Sequence, residues 1–153
     1  MSEGPIQAFL AGRGRDGSGR RLSDVLAFDD ARIEGVHDFI QWCFPMAEAS
    51  RAVPGAPVLA AGEAEAIRRD GQAKAGFEAA TARMARFYTD TSGWLRPMDH
   101  NHLRITRILT ALRVLAGAEE ASAFHALVIG RNREAGSPVN AGSLGFWQSA
   151  LCR

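Results

Sequence analysis

The sequence predicts an all-α fold: one domain over residues 1–153, built as an orthogonal or irregular bundle of about six helices. Apolar residues recur at three- and four-residue steps in several segments, which is typical of helices with one buried face. Capping residues and glycine or proline breaks stand at the ends of these segments. No segment alternates between apolar and polar residues long enough to require a sheet, so helices alone account for the pattern.

The N-terminal segment predicts a short helix followed by a loop. Pro5 suits a first helical turn, and Gly12 ends the helix. The apolar residues of this helix share one face: Ile6, Phe9 and Leu10. Residues 12–21 contain no apolar residue and predict a flexible basic loop. This loop is either a solvated connector or an arm that closes over an anionic ligand.

A longer helix is predicted from Asp29 to about Phe44. Asp29 and Asp30 supply an N-cap and negative charge at its start, and Pro45 prevents continuation. Its apolar stripe consists of Ile33, Val36, Ile40 and Cys43. Such a stripe indicates that the helix lies against the core.

Residues 45–62 are rich in proline and small residues and predict an irregular crossing segment, pinned by Val58 and Leu59 packing inward. The strongest helix runs from His100 to about residue 116, with Asp99 as its cap. Its buried face contains Ile105, Ile108, Leu109, Leu112 and Leu115.

Further helices are predicted over 63–69, 74–88, 118–131 and 143–151.

The composition disfavours several classes of function. A net charge of +1 gives no global positive field, so no nucleic-acid partner is expected. The apolar runs are too short to span a membrane and the N-terminus does not resemble a secretory leader, so a cytoplasmic location is predicted. Cys43 and Cys152 lie in no metal-ligand or disulfide pattern. Since no cofactor motif occurs, the sequence predicts neither a cofactor nor a metal.

Residues 99–102, Asp-His-Asn-His, form the most suggestive polar motif. Two residues apart on a helix, His100 and His102 point about 200° away from each other, which makes them poor joint metal ligands. An HNH nuclease would also need a strand hairpin around the motif. His37 and Asp38 form the HD pair of metal phosphohydrolases without their further ligands, so an interior histidine with satisfied hydrogen bonds is preferred.

A cationic face of the predicted helix after Asp99 is a better candidate for binding. His100, Arg104 and Arg107 lie within a narrow arc, with Arg96 just upstream. Such an arc can hold a carboxylate or phosphate through guanidinium contacts. The alternative is that these arginines pair with acidic residues of neighbouring helices.

Polar and aromatic residues near this arc and on the helix from Asp29 complete the candidate set. His37 and Gln41 belong to a polar strip beside the apolar stripe of that helix. Trp42 and Trp94 are large anchors that usually belong to a core, although a tryptophan beside a cationic face can also wall a pocket.

Two stretches, HDFIQWCFP at residues 37–45 and HNHLRITRIL at residues 100–109, resemble the signatures of the opioid growth factor receptor conserved region. The resemblance extends through LAFDD at 26–30, APVL at 56–59 and WLRP at 94–97, and so covers most of the chain from about residue 20 to 130. It departs at Phe39, where the family usually has tyrosine, and at Cys43, where leucine is usual. Both exchanges keep an apolar residue.

The resemblance implies an α-helical domain whose animal members are described as receptors for an enkephalin peptide, and this chain looks like a bacterial stand-alone relative. It implies no catalytic residues. The resulting hypothesis is a binding module that accepts a peptide or small anionic ligand at a groove of tryptophan, arginine and histidine side chains. The candidate groove residues are His37, Gln41, Trp42, Trp94, Arg96, Asp99, His100, Arg104 and Arg107. The alternative hypothesis is an enzyme in which His37 or His100 acts as acid or base and arginines hold an anionic substrate.

Overall fold

The computed structural model of the chain describes residues 3–50 and 53–152. Over these residues the regular structure is helical and contains no strand, which confirms the predicted all-α class, with nine helices instead of about six. The helices are α1 (Pro5–Leu10), α2 (Leu22–Leu26), α3 (Asp30–Gly35), α4 (Ile40–Cys43), α5 (Glu63–Arg69), α6 (Gly71–Asp90), α7 (His100–Leu115), α8 (Ala118–Glu134) and α9 (Ala141–Ala150). None of the helices within the described ranges is long and apolar enough to cross a bilayer.

The contacts between residues group the chain into two compact units, Met1–Arg83 and Met84–Arg153. The boundary falls inside α6, so this helix supplies residues to both units. Each unit has buried apolar residues of its own.

In the first unit, α1 packs against α4 and α5, and its predicted apolar stripe is buried. Two edge-on ring pairs extend this core. Phe28 and Phe39 have ring centroids 5.6 Å apart, and Phe44 and Phe77 have centroids 5.7 Å apart. Just after α1, Gly12 has a φ of 81°, a left-handed conformation that favours glycine.

The prediction of one helix from Asp29 to about Phe44 is wrong, because α3 and α4 are separated by residues 36–39. Asp29 does cap α3 as predicted, since its side chain accepts a first-turn backbone N–H at 2.8 Å. The helix then ends at Gly35, and Val36 is extended with φ −98° and ψ 125°. Glycine and β-branched valine are both weak helix formers, which favours the interruption at this point.

The described part of residues 45–62 contains no helix, as predicted. Leu59 is buried, but Val58 is 41% exposed, so the prediction that both pack inward is wrong for Val58. α5 has the predicted bounds. α6 begins at Gly71 instead of residue 74, because the Asp70 side chain accepts two backbone N–H groups of its first turn.

In the second unit, α7 packs against α8 and α9. The predicted buried face of α7 is confirmed for all five residues: Ile105, Ile108, Leu109, Leu112 and Leu115. Asp99 is its N-cap, as predicted, and accepts the backbone N–H of Asn101 at 2.9 Å. Gly117 follows the helix with a φ of 111°. α8 and α9 lie where the sequence predicts helices, with bounds that differ by a few residues.

Candidate functional site

Three predicted binding residues belong to the first unit, in and after the interruption between α3 and α4. His37 lies in the interruption and is exposed. Gln41 is only 6% exposed, and within the described part of the chain no donor lies within hydrogen-bond distance of its Oε1. The half-buried Trp42 packs against Phe9, with ring centroids 5.6 Å apart. Of the three side chains, His37 alone is exposed.

Asp38, next to His37, is engaged in an ion pair. Its carboxylate lies 2.7 Å from Nη2 of Arg20 and accepts the Ser18 hydroxyl at 2.8 Å. Burial raises the pKa of Asp38, but these two hydrogen bonds outweigh burial and leave the pKa below its ordinary value. The carboxylate is therefore a stable anion paired with a guanidinium, which disfavours the HD-type metal interpretation.

The basic loop at residues 12–21 makes a network of contacts inside the first unit. The buried Asp16 accepts two backbone N–H groups of the loop, both at 2.9 Å, and Nε of Arg20 at 2.7 Å. Arg13 contacts two carboxylates, at 2.6 Å and 2.5 Å. Because two of its arginines are neutralised within the unit, the loop fits the connector interpretation better than a free anion-binding arm.

The Asp99 side chain accepts several hydrogen bonds at the start of α7, in the second unit. Its side chain, only 2% exposed, accepts the backbone N–H and Nδ2 of Asn101 and Nε of Arg96, each at 2.9 Å. Burial raises the pKa of Asp99, but the Asn101 hydrogen bonds and the neighbouring positive charges lower it by more. Nδ1 of His100 is 3.8 Å from Asp99 Oδ1, which is longer than a hydrogen bond. Asp99 therefore serves as a helix cap.

Asn101 and His102, the other half of the polar motif, are buried and hold the second unit together. The Tyr88 hydroxyl donates to Asn101 Oδ1 at 3.1 Å. Nε2 of His102 lies 2.8 Å from the Trp94 carbonyl oxygen, so the geometry assigns the proton to Nε2. Nδ1 of the same ring lies 3.5 Å from the Ser143 hydroxyl. These contacts give the motif a structural role that its residue types alone do not indicate.

The three residues of the predicted cationic arc differ in exposure along α7. The His100 side chain is 39% exposed, Arg104 is buried at 7%, and Arg107 is half-buried. Burial lowers the pKa of Arg107 to about 10. The arc thus runs from solvent into the protein, and its deeper cations have lost much of their hydration.

Trp94 belongs to the core of the second unit. It is 1% exposed, and its ring centroid lies 5.2 Å from that of Tyr88 and 6.5 Å from that of Trp147. Its indole N–H donates to the Thr91 carbonyl at 3.1 Å. A tryptophan buried to this extent presents almost no surface to a ligand, so its contribution is packing beside α7.

Two buried charged residues of the first unit belong to none of the motifs identified in the sequence. Arg83, 7% exposed, donates from Nη2 to the Phe28 carbonyl at 3.0 Å and to Asp30 Oδ1 at 2.8 Å. Glu63, 6% exposed, is indicated by the sequence only as the start of a helix. Arg83 contacts residues more than 50 positions away, and Glu63 accepts a hydrogen bond from the distant Gln7 as well as from the nearby Ala60, so local pattern alone does not predict their burial.

No protein-family model, curated protein or solved structure matches this chain. The relation to the opioid growth factor receptor conserved region stays a prediction based on the two stretches at residues 37–45 and 100–109.

Proposed function

We propose that this chain is a binding module of the opioid growth factor receptor-related type, acting in the bacterial cytoplasm. Its ligand is an anion, either a carboxylate of an acidic peptide or a small anionic molecule. The anion is held at the cationic arc of α7, formed by His100, Arg104 and Arg107. The observation that carries this proposal is that an exposed histidine, a buried arginine and a half-buried arginine follow one another along one face of α7.

The charge and the spacing of the arc are the physical reason to expect an anion there. Arginine side chains bind carboxylates and phosphates through paired, charge-assisted hydrogen bonds. Spacings of four and three residues place all three side chains on one face of α7. At such a face an anion interacts more strongly than it would with solvent-exposed arginines, because the local dielectric constant is lower.

The contacts of the two candidate carboxylates favour binding over acid–base catalysis. Asp38 is paired with Arg20 at 2.7 Å, and Asp99 with Arg96 at 2.9 Å. Each carboxylate has its pKa lowered, so each is a poor proton acceptor near neutral pH. A carboxylate that orients an acid–base histidine accepts a hydrogen bond from it, whereas both of these carboxylates are paired with an arginine.

Thermal unfolding with anions present tests the proposal. Inorganic phosphate, citrate and a tetraglutamate peptide are added to the wild-type chain and to Arg107→Gln, which removes the charge but keeps hydrogen-bond donors. At least one probe is expected to raise the Tm of the wild type, since a ligand that binds only the folded state stabilises it. The same probe should raise the Tm of Arg107→Gln much less.

Arg133→Gln is the matched control, because it removes one positive charge from an exposed position on α8. It should respond to the anions as the wild type does. Equal stabilisation of the wild type and Arg107→Gln would show a general salt effect and overturn the proposal, as would a wild type that responds to none of the three probes.

A further inference from the structure

The first unit contains a cleft of about 680 Å³ between the start of α1 and the start of α5. Its lining includes Glu3, Gly4 and Gln7 and the alanines at 60, 61 and 66. Its volume lies within the range of small-molecule sites, roughly 300–1,000 Å³. The alanine methyl groups give the cleft an apolar part.

The Glu63 carboxylate lies in this cleft and is buried, with the residue 6% exposed. It accepts two long hydrogen bonds, from the backbone N–H of Gln7 at 3.3 Å and from that of Ala60 at 3.2 Å. Across the described ranges, 3–50 and 53–152, no lysine, arginine or histidine forms an ion pair with it. Since a carboxylate offers about four acceptor positions, half of this capacity is unused.

The other acidic residue of the cleft is already neutralised. Glu3 pairs with Arg13 at 2.6 Å. Gly4 leaves the room that the Glu63 carboxylate occupies, because a side-chain Cβ at this position would overlap that carboxylate. Within the part of the chain that the structure describes, the Glu63 carboxylate of this cleft is therefore held by backbone N–H groups, next to alanine methyl groups.

We propose that this cleft binds a primary alkylammonium group, with the Glu63 carboxylate as counter-ion and the alanine methyl groups as the wall for the alkyl chain. A buried carboxylate gains most from a cation that replaces its lost hydration. Each of its oxygens accepts one backbone N–H and keeps one acceptor position open. A compact ammonium ion needs only one oxygen. This site is independent of the cationic arc on α7.

Two sources provide this chemistry, a lysine side chain of a peptide or protein and a free diamine. The probes are N-acetyl-lysine methylamide for the first source and 1,5-diaminopentane for the second. N-acetyl-norleucine methylamide, which has a similar alkyl chain without the ammonium group, is the control. Binding is followed in the full chain by NMR, through the backbone amide signals of Gln7, Ala60 and Glu63.

At least one of the two amines is expected to shift these signals in a saturable manner, and the stronger of the two identifies the source. Glu63→Gln should weaken its binding at least tenfold, because the amide loses the charge while it keeps an acceptor for one of the two backbone N–H groups. Ala66→Leu should weaken binding while the carboxylate is retained, since leucine fills the cleft. Circular dichroism verifies that each variant is folded.

The proposal is overturned if neither amine shifts the signals, or if the norleucine control binds as well as the amines. It is also overturned if both variants fold and bind the amine like the wild type. The response of the wild type to phosphate, citrate and tetraglutamate depends on Arg107 and should be unchanged in Glu63→Gln. Failure of the ammonium site is therefore distinguishable from failure of the anion site.

Discussion

The Tyr88 hydroxyl and the Asn101 side chain form a buried hydrogen bond of 3.1 Å in the second unit. Both residues are 0% exposed, so neither group can turn to water when the other is removed. The Asn101 amide also donates to Asp99 at 2.9 Å and so fixes the carboxylate that caps α7. A single residue thereby connects the end of α6 with the start of α7.

Asn101→Ala is expected to lower the free energy of unfolding by about 1–3 kcal/mol, because the Tyr88 hydroxyl is left buried without this acceptor. Chemical denaturation with urea measures the change. His100→Ala, at the neighbouring position with a side chain 39% exposed, is the control and should change stability by less than about 0.5 kcal/mol. Equal urea midpoints for Asn101→Ala and the wild type would contradict a structural role for this hydrogen bond.

At the scale of helices, the contact between α1 and α6 depends on Gly76. A Cβ atom at this position would overlap the backbone carbonyl oxygen of Leu10 and press on the Leu22 side chain. Backbone atoms at the end of a helix cannot move aside as a flexible side chain can. The two segments therefore approach as closely as they do only because residue 76 has no side chain.

Gly76→Ala is expected to destabilise the chain by about 1–3 kcal/mol, since α1 must move away from α6 to admit the methyl group. Gly130→Ala is the matched control inside α8, where a Cβ meets nothing within 4 Å. This control should raise stability by about 0.5–1 kcal/mol, because alanine is the better helix former. Urea denaturation of both variants gives the comparison, and changes of the same sign in the two would show that close packing at Gly76 does not matter.

The bounds of most helices could be predicted because their signals are local. Asp29 and Asp99 cap helices whose first turns follow directly in the chain, and the apolar spacing of α7 identifies its buried face. The apolar stripe continues across residues 36–39 and hides the interruption there, for which the weak helix formers Gly35 and Val36 are a local signal. The ion pair between Asp38 and Arg20, 18 residues apart, lies at that interruption.

At the scale of the whole molecule, the polar contacts that define the candidate sites are long-range, which limits what one sequence can predict. The bond from Gln7 to Glu63 joins residues 56 apart, and the bond from Tyr88 to Asn101 joins residues 13 apart. Which side chains meet over such separations depends on how the helices pack. The residue types of the cationic arc could be recognised in advance, but the burial of Arg104 and the cleft at Glu63 could not.

The chain has 18 basic and 17 acidic residues. The fold favours the ionised form of several of the carboxylates. Asp38, Asp70 and Asp99 all have a lowered pKa. The unfolded chain therefore binds more protons than the folded one in acid, and the free energy of unfolding falls as the pH falls. His125, whose pKa burial lowers, acts in the same direction below its ordinary value of 6.5.

Asp70→Asn isolates one contribution to this acid sensitivity. Hydrogen bonds from Gln7 and Arg13 lower the pKa of Asp70 from 3.8 to about 2, so its contribution is complete above pH 3.8 and is lost as the pH falls to about 2. The variant should be less stable than the wild type near neutral pH, and the difference should shrink through this window. Urea denaturation at a series of pH values measures it, with Asp90→Asn, at an exposed position, as the control for removing one negative charge. A difference for Asp70→Asn that stays constant from neutral pH to about pH 2 would exclude the ionised carboxylate as its source.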